Sequence, residues 1–201
     1  MFAVVESGKI TSMPNGNKGI MIGDNQYPAS IFTLWSESER NAIGVYTVEI
    51  DETNKKDSEY YINTNITYAF SGGKVKGTYG TAAARSLVDT DATDGEGNKL
   101  KDGDGNQIIN EGLKTIKKRL LDNQCKDLLE PSDWMVVRAT ETETTMDSGW
   151  KTWRASVRTK CNSMQTQIDN AANVDALAAL FEYATTDGVP TRPLGEFPVK
   201  E

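Results

Sequence analysis

Residues 89–110 (DTDATDGEGNKLKDGDGNQIIN) limit the fold of this chain more than any other stretch. They offer only Leu100, Ile108 and Ile109 to bury, and a segment with so little apolar area cannot pack at the centre of a core. The stretch reads as a linker or an exposed two-stranded excursion, with turns at Asp94-Gly95 and Asp102-Gly103. It divides the 201 residues into two flanks, and each flank must then bury a core of its own.

The flanks differ in apolar period. On the N-terminal side, Phe2–Val5 and Ile10–Met13 are short apolar runs around Ser7-Gly8-Lys9, a hairpin pattern. Pro14-Asn15-Gly16 marks a second turn. Ser36 followed by Glu39 is a capping box for a short helix that Gly44 stops. Val45–Ile50 alternates as a strand, and 60–70 with 74–79 reads as a further hairpin about Gly72-Gly73.

The C-terminal flank repeats at three and four residues. Leu113, Ile116, Leu120, Leu121, Cys125, Leu128 and Leu129 form one helix face that ends before Pro131. Trp134-Met135-Val136-Val137 is short and continuous, which suggests a strand or a packed extended segment. A second helix starts at Asp147 or Ser148. Its stripe is Trp150, Trp153, Val157, Cys161, Met164 and Ile168, bordered by Arg154 and Arg158. Asn173 caps a third, Ala-rich helix over 174–183, and Pro190, Pro193 and Pro198 keep the end extended.

The expected class is therefore α+β: a β-rich domain over 1–88 with antiparallel hairpins, the Asp/Gly-rich segment 89–110, a helical hairpin module over 111–187, and an extended proline-containing tail over 188–201. No internal repeat is expected.

Composition narrows the chemistry. The chain has no histidine, which removes Ser–His–Asp and Cys–His nucleophiles and His-containing zinc sites together. A net charge of −7 argues against a nucleic-acid surface. Cys125 and Cys161 fall on apolar stripes and read as buried thiols. Asp102, Asp104 and Asn106 match the start of a calcium loop, but Gln107 replaces its glycine and Leu113 its bidentate glutamate, so a solvated turn is favoured. No apolar run approaches the ~18 residues of a membrane span, and the early charge at Glu6 argues against a secretory signal. No nucleotide, metal or hydrolase motif is found, and no cofactor, nucleic-acid partner or membrane is expected.

Two stretches carry a resemblance. One is Tyr27-Pro28 with Leu34-Trp35-Ser36, Glu39-Arg40 and Ile43-Gly44-Val45-Tyr46. The other is Leu128-Leu129, Pro131-Ser132-Asp133-Trp134-Met135-Val136-Val137-Arg138, then Trp153-Arg154 and Val157-Arg158. Together they resemble small tail-module proteins of tailed bacteriophages, described as tail fibre assembly proteins or tail assembly chaperones, and in some cases as virion components. The motifs cover about a third of the chain and leave out 89–110. The resemblance implies a non-catalytic protein that assembles or anchors tail fibres by protein–protein binding. It would be made in the cytoplasm of an infected bacterium, with incorporation into the virion tail and self-association left open.

The residues marked for partner binding or the module core are Asp133, Trp134, Trp150, Trp153, Arg154, Val157 and Arg158. Physically, Ser132 or Asp133 turns the chain after Pro131, Trp134 drops between the two helices, and Arg154 pairs with Asp133 or nearby carbonyls. The helical-hairpin core is favoured over a docking surface for this block.

Overall fold

The computed structural model describes residues 1–200, apart from the Thr186 side chain. The chain forms an α+β fold with two compact units, one over 1–83 and one from Ala84 onward.

The first unit starts with β1 (Phe2–Glu6) and β2 (Lys9–Ser12), an antiparallel hairpin turned by Ser7 and Gly8, both at positive φ. A smaller hairpin follows, β3 (Ile20–Ile22) with β4 (Asn25–Tyr27). Two short helices come next, α1 (Ile31–Leu34) and α2 (Glu37–Ala42). The α2 capping box is present as the sequence suggests. Ser36 N–H donates to Glu39 Oε2 at 2.8 Å, and Glu39 N–H donates to Ser36 Oγ at 3.3 Å. Gly44 ends the turn at φ +80, where a Cβ would lie 2.6 Å from the Val5 carbonyl oxygen, so only glycine fits.

Strands β5 (Val45–Asp51), β6 (Tyr61–Ile62), β7 (Ile66–Ser71) and β8 (Lys74–Tyr79) follow. The main sheet has the order β2-β1-β5-β8-β7. Both expected hairpins lie in it, but β5 and β8 pair in parallel, which local turn signals cannot reveal. The single strand read over 60–70 is broken between β6 and β7. Val4, Ile31, Phe32 and Val45 make the core of this unit, with Phe2, Tyr27, Trp35 and Ile43 packed around them.

The short β9 (Ala83–Ala84) straddles the boundary, which falls before 88. Residues 86–89 belong with the helices. The Ser86 and Leu87 carbonyls accept from the Leu113 and Lys114 amides, and Asp89 Oδ1 accepts from Gly112 N–H at 2.7 Å. They supply the partners that Gly112, having no side chain, cannot give at the helix start.

Residues 89–110 are an ordered knob built on a repeat, where none was expected. Asp94-Gly95-Glu96-Gly97-Asn98 returns as Asp102-Gly103-Asp104-Gly105-Asn106. Each turn folds alike. Asp94 Oδ1 accepts from the amides of Glu96 and Asn98, both at 2.9 Å; Asp102 Oδ1 accepts from those of Asp104 at 3.0 Å and Asn106 at 2.8 Å. Three strand-like arms meet at a closed backbone triangle. Ala92 N–H donates to Ile108 O, Ile108 N–H to Leu100 O, and Leu100 N–H to Ala92 O, at 2.8–2.9 Å. The third arm is β10 (Thr90–Asp91) with β11 (Ile109–Asn110).

The second unit continues as α3 (Leu113–Leu129), a 3-10 turn (Glu130–Ser132), α4 (Asp133–Glu141), α5 (Ser148–Asn170) and α6 (Val174–Ala179). Helices α3 and α5 run antiparallel: Lys118 meets Asp169 at one end, and Arg154 meets the Leu129 carbonyl at the other. Leu113 and Leu121 are buried, as are Val157, Cys161, Met164 and Ile168 on α5. Ile116 and Leu120, expected on the α3 core face, stay exposed. Lys117 is buried in that row, its ammonium 4.4 Å from the centre of the Phe181 ring.

Three further expectations are corrected. Residues 134–137 are helical, within α4. Helix α6 stops at Ala179, and 180–183 turn into the hairpin β12 (Ala184–Thr186) and β13 (Val189–Thr191), which crosses the expected start of the tail. Beyond it the chain folds back along α5: Leu194 is fully buried, Lys160 Nζ donates to its carbonyl at 3.0 Å, and Trp153 Nε1–H donates to Pro198 O at 2.9 Å.

Candidate functional site

The marked residues converge where α3 passes into α4 and α5 packs against the turn. Pro131 lacks an N–H and sits in the second position of the 3-10 turn, within the first turn where no intrahelical donor is needed. Asp133 then places a carboxylate in the first turn of α4, at the positive end of its dipole. These signals start a helix where a continuous apolar run suggests a strand, and Arg154 fixes the arrangement from α5.

Arg154 is 4% exposed. Its Nη1–H donates to Leu129 O at 2.7 Å and to Ser132 Oγ, and its Nη2–H donates to Asp133 Oδ1 at 2.5 Å. Ser132 Oγ–H in turn donates to Leu129 O at 2.8 Å. One guanidinium thus satisfies the end of α3 and the start of α4 together. The expected Arg154–Asp133 pair is present, but Arg154 lies in the interior instead of bordering the stripe. Charge-assisted bonds of this kind are each worth about 1.5–3 kcal/mol.

Trp134 does not enter the space between the helices. It is 54% exposed, as is Val137, and Val136 is 42% exposed. No residue of α4 is buried. The burial that the sequence pattern assigns to Trp134 is carried by Arg154 and Ser132. Trp150 and Trp153 are half-buried and meet edge to face, with ring centres 5.6 Å apart. Val157 is fully buried and Arg158 exposed. Of the two candidate caps for α5, Asp147 serves: its Oδ1 accepts from Trp150 N–H at 3.1 Å.

Between α4 and the first turns of α5 lies an open groove of about 860 Å³, with Val136, Ala139 and Met146 on one side and Lys151 and Arg158 on the other. A neighbouring hollow of about 470 Å³ continues it past Arg138 to Trp134 and Trp150. Met146, Lys151 and Arg138 were missed in the sequence because their role depends on α4 being a helix.

The Cys161 thiol and the carboxylates of Asp94 and Asp102 are engaged within the fold. Burial, with Cys125 and Asp122 beside it, pushes the Cys161 thiol up to about 11, so it stays protonated at neutral pH. Among the described residues no three His, Cys, Asp or Glu side chains are placed to hold a metal ion. In the Asp-rich knob, the Asn98 and Asn106 bonds hold the Asp94 and Asp102 carboxyls below the usual range, and both oxygens of each are occupied by protein donors. No described helix is long and apolar enough to cross a membrane. Compared with family models, curated proteins and solved structures, the chain gives no match.

Proposed function

We propose that this chain is a non-catalytic docking protein that assembles or anchors tail fibres of a tailed bacteriophage. The supporting observation is α4: a helix with Trp134, Val136 and Val137 exposed and no residue buried, held at its base by the Arg154 network. Apolar side chains held outward on an anchored helix form a surface that gains free energy when a partner covers it, and Trp is the residue type that most often dominates such contacts. The resemblance of Leu128–Arg138 and Trp153–Arg158 to small tail-module proteins supplies the tail context. It is also what favours synthesis in the infected cell followed by transfer to the particle.

The test pairs two measurements. Mass spectrometry of purified particles beside infected lysate separates a transient assembly factor from a permanent virion part. Co-purification of tail proteins with the Trp134→Ala/Val137→Ala variant tests the surface. Loss of the tail partner at unchanged melting temperature is expected; full retention of the partner would discard α4 as the docking element.

A further inference from the structure

Resting on that docking reading, we propose that the groove between α4 and α5 receives an acidic peptide segment of the partner, carrying apolar side chains beside its carboxylates. The case is one of charge. Arg138, Lys151 and Arg158 line the groove and its continuation, all three are exposed, and none has an ion-pair partner among the described residues. Several other cations are paired, as in Lys74–Glu49, Lys118–Asp169 and Arg192–Glu196, whereas these three gather unpaired in one opening. In a chain of net charge −7, Asp147 is the one carboxylate among the described residues that line this groove and its continuation.

Asp147, and Asp133 at the start of α4, are already in use. Asp133 accepts from Arg154, and Asp147 caps the α5 amides. Three unpaired cations against one carboxylate therefore line an opening that also presents Val136, Ala139 and Met146 beside Thr140, Thr144 and Thr145, with Trp134 and Trp150 at one end. Carboxylates meet Arg138 and Arg158 through the forked geometry that guanidinium groups favour. Leucine-type side chains on the same segment would cover Val136 and Trp134. Phosphate chains answer the cations but leave the apolar side chains of the lining uncovered. A peptide fits both features.

The experiment uses the full chain on an array of synthetic peptides about twelve residues long, graded in Glu and Leu content, the length of one helical segment seated in a groove. The best acidic peptide and its Lys-for-Glu counterpart are then titrated by fluorescence anisotropy. Single-stranded DNA and inorganic polyphosphate of matched charge serve as competitors. Binding should rise with Glu content only where Leu is present, and the acidic peptide should bind at least about tenfold tighter than its Lys counterpart. The preference should shrink as salt is raised. The combined variant R138E/K151E/R158E alters only exposed side chains, and circular dichroism checks its fold; it should reverse the preference.

Affinity indifferent to peptide charge, or unchanged in the combined variant, would overturn the proposal. Tighter binding of DNA or polyphosphate would do the same, as would self-association by sedimentation that this variant abolishes, which assigns the groove to a second copy. If Trp134→Ala/Val137→Ala loses the tail partner while the array shows no acidic preference, the docking reading stands and this one falls.

Discussion

Helices α4 and α5 carry similar residues and meet opposite fates. Both bear Trp, Val, Met and Arg, in one consecutive run on α4 and at helical spacing on α5. On α5, Val157, Cys161, Met164 and Ile168 are buried against α3, while on α4 Trp134, Val136 and Val137 face outward. Apolar content does not explain the difference, since the exposed α4 is the more apolar of the two, with five apolar residues in nine against seven in 23 on α5. Length and placement do. Helix α5 runs 23 residues beside α3 and shares a continuous interface, whereas α4 runs nine and is tied to the module at its base. A short helix with one anchor has nothing to pack against along its length. It contributes little to folding and leaves apolar area for association.

That contrast predicts a graded set of effects. The largest belongs to Arg154→Ala, which strips a buried cation from Asp133, Ser132 and Leu129. Each hydrogen bond lost is worth about 1.5–3 kcal/mol, less at Asp133, whose carboxylate is 59% exposed, and thermal melting should show their combined loss. Arg154→Lys should recover only part, because an ammonium lacks the fork. A melting curve unmoved by Arg154→Ala would mean that α4 is not fixed from α5.

Next, Met164→Ala should cost about 2–5 kcal/mol through lost burial and a residual cavity. Trp134→Ala, despite removing a larger side chain, should change stability by no more than ~0.5 kcal/mol, as is usual at exposed positions. Denaturant titration of the two variants checks the contrast directly. Equal losses would mean that α4 is packed inward in solution.

A subtler outcome concerns pH and the Asp-rich knob. Hydrogen bonds from Asn98 and Asn106 lower the Asp94 and Asp102 pKa values below the ordinary value of about 3.9. A depressed carboxylate stabilises the fold fully above its unfolded pKa, and the contribution disappears as pH falls through the folded value. Amide protection at Asn98 and Asn106 should therefore hold at neutral pH and collapse in acid below the usual aspartate range, ahead of the α5 amides. Hydrogen exchange at stepped pH measures this, and simultaneous loss in both regions would contradict it.

The smallest expected effect is none. EDTA or millimolar calcium should leave the melting temperature in place, because the knob's own donors already fill both aspartate carboxylates. A site held at a hundred times its dissociation constant would instead add ~2.7 kcal/mol, a shift too large to miss.

Much of the local structure is legible in the sequence because it is decided within a few residues. The capping box at Ser36 and Glu39, the turns at Ser7-Gly8 and Gly72-Gly73, the end of α3 before Pro131 and the Asn173 cap each depend on neighbours three or four positions away. The α5 stripe is legible for the same reason, since helical period alone lines up Val157, Cys161, Met164 and Ile168. The repeat in the knob was equally available, written as Asp-Gly-x-Gly-Asn twice; the signal was composition read where spacing should have been.

What only the tertiary structure decided involves partners far apart in the chain. The parallel pairing of β5 with β8 joins strands whose intervening residues carry no mark of it. The triangle of Ala92, Leu100 and Ile108 closes three arms that each look like an isolated turn. Residues 134–137 have strand-like composition, and they become helix because Arg154, in another helix, is satisfied by groups that a helical turn brings together. Burial follows the same logic. A sequence states which side chains gain by leaving water, but which of them succeed depends on the area a neighbouring element can offer, and α4 is offered too little.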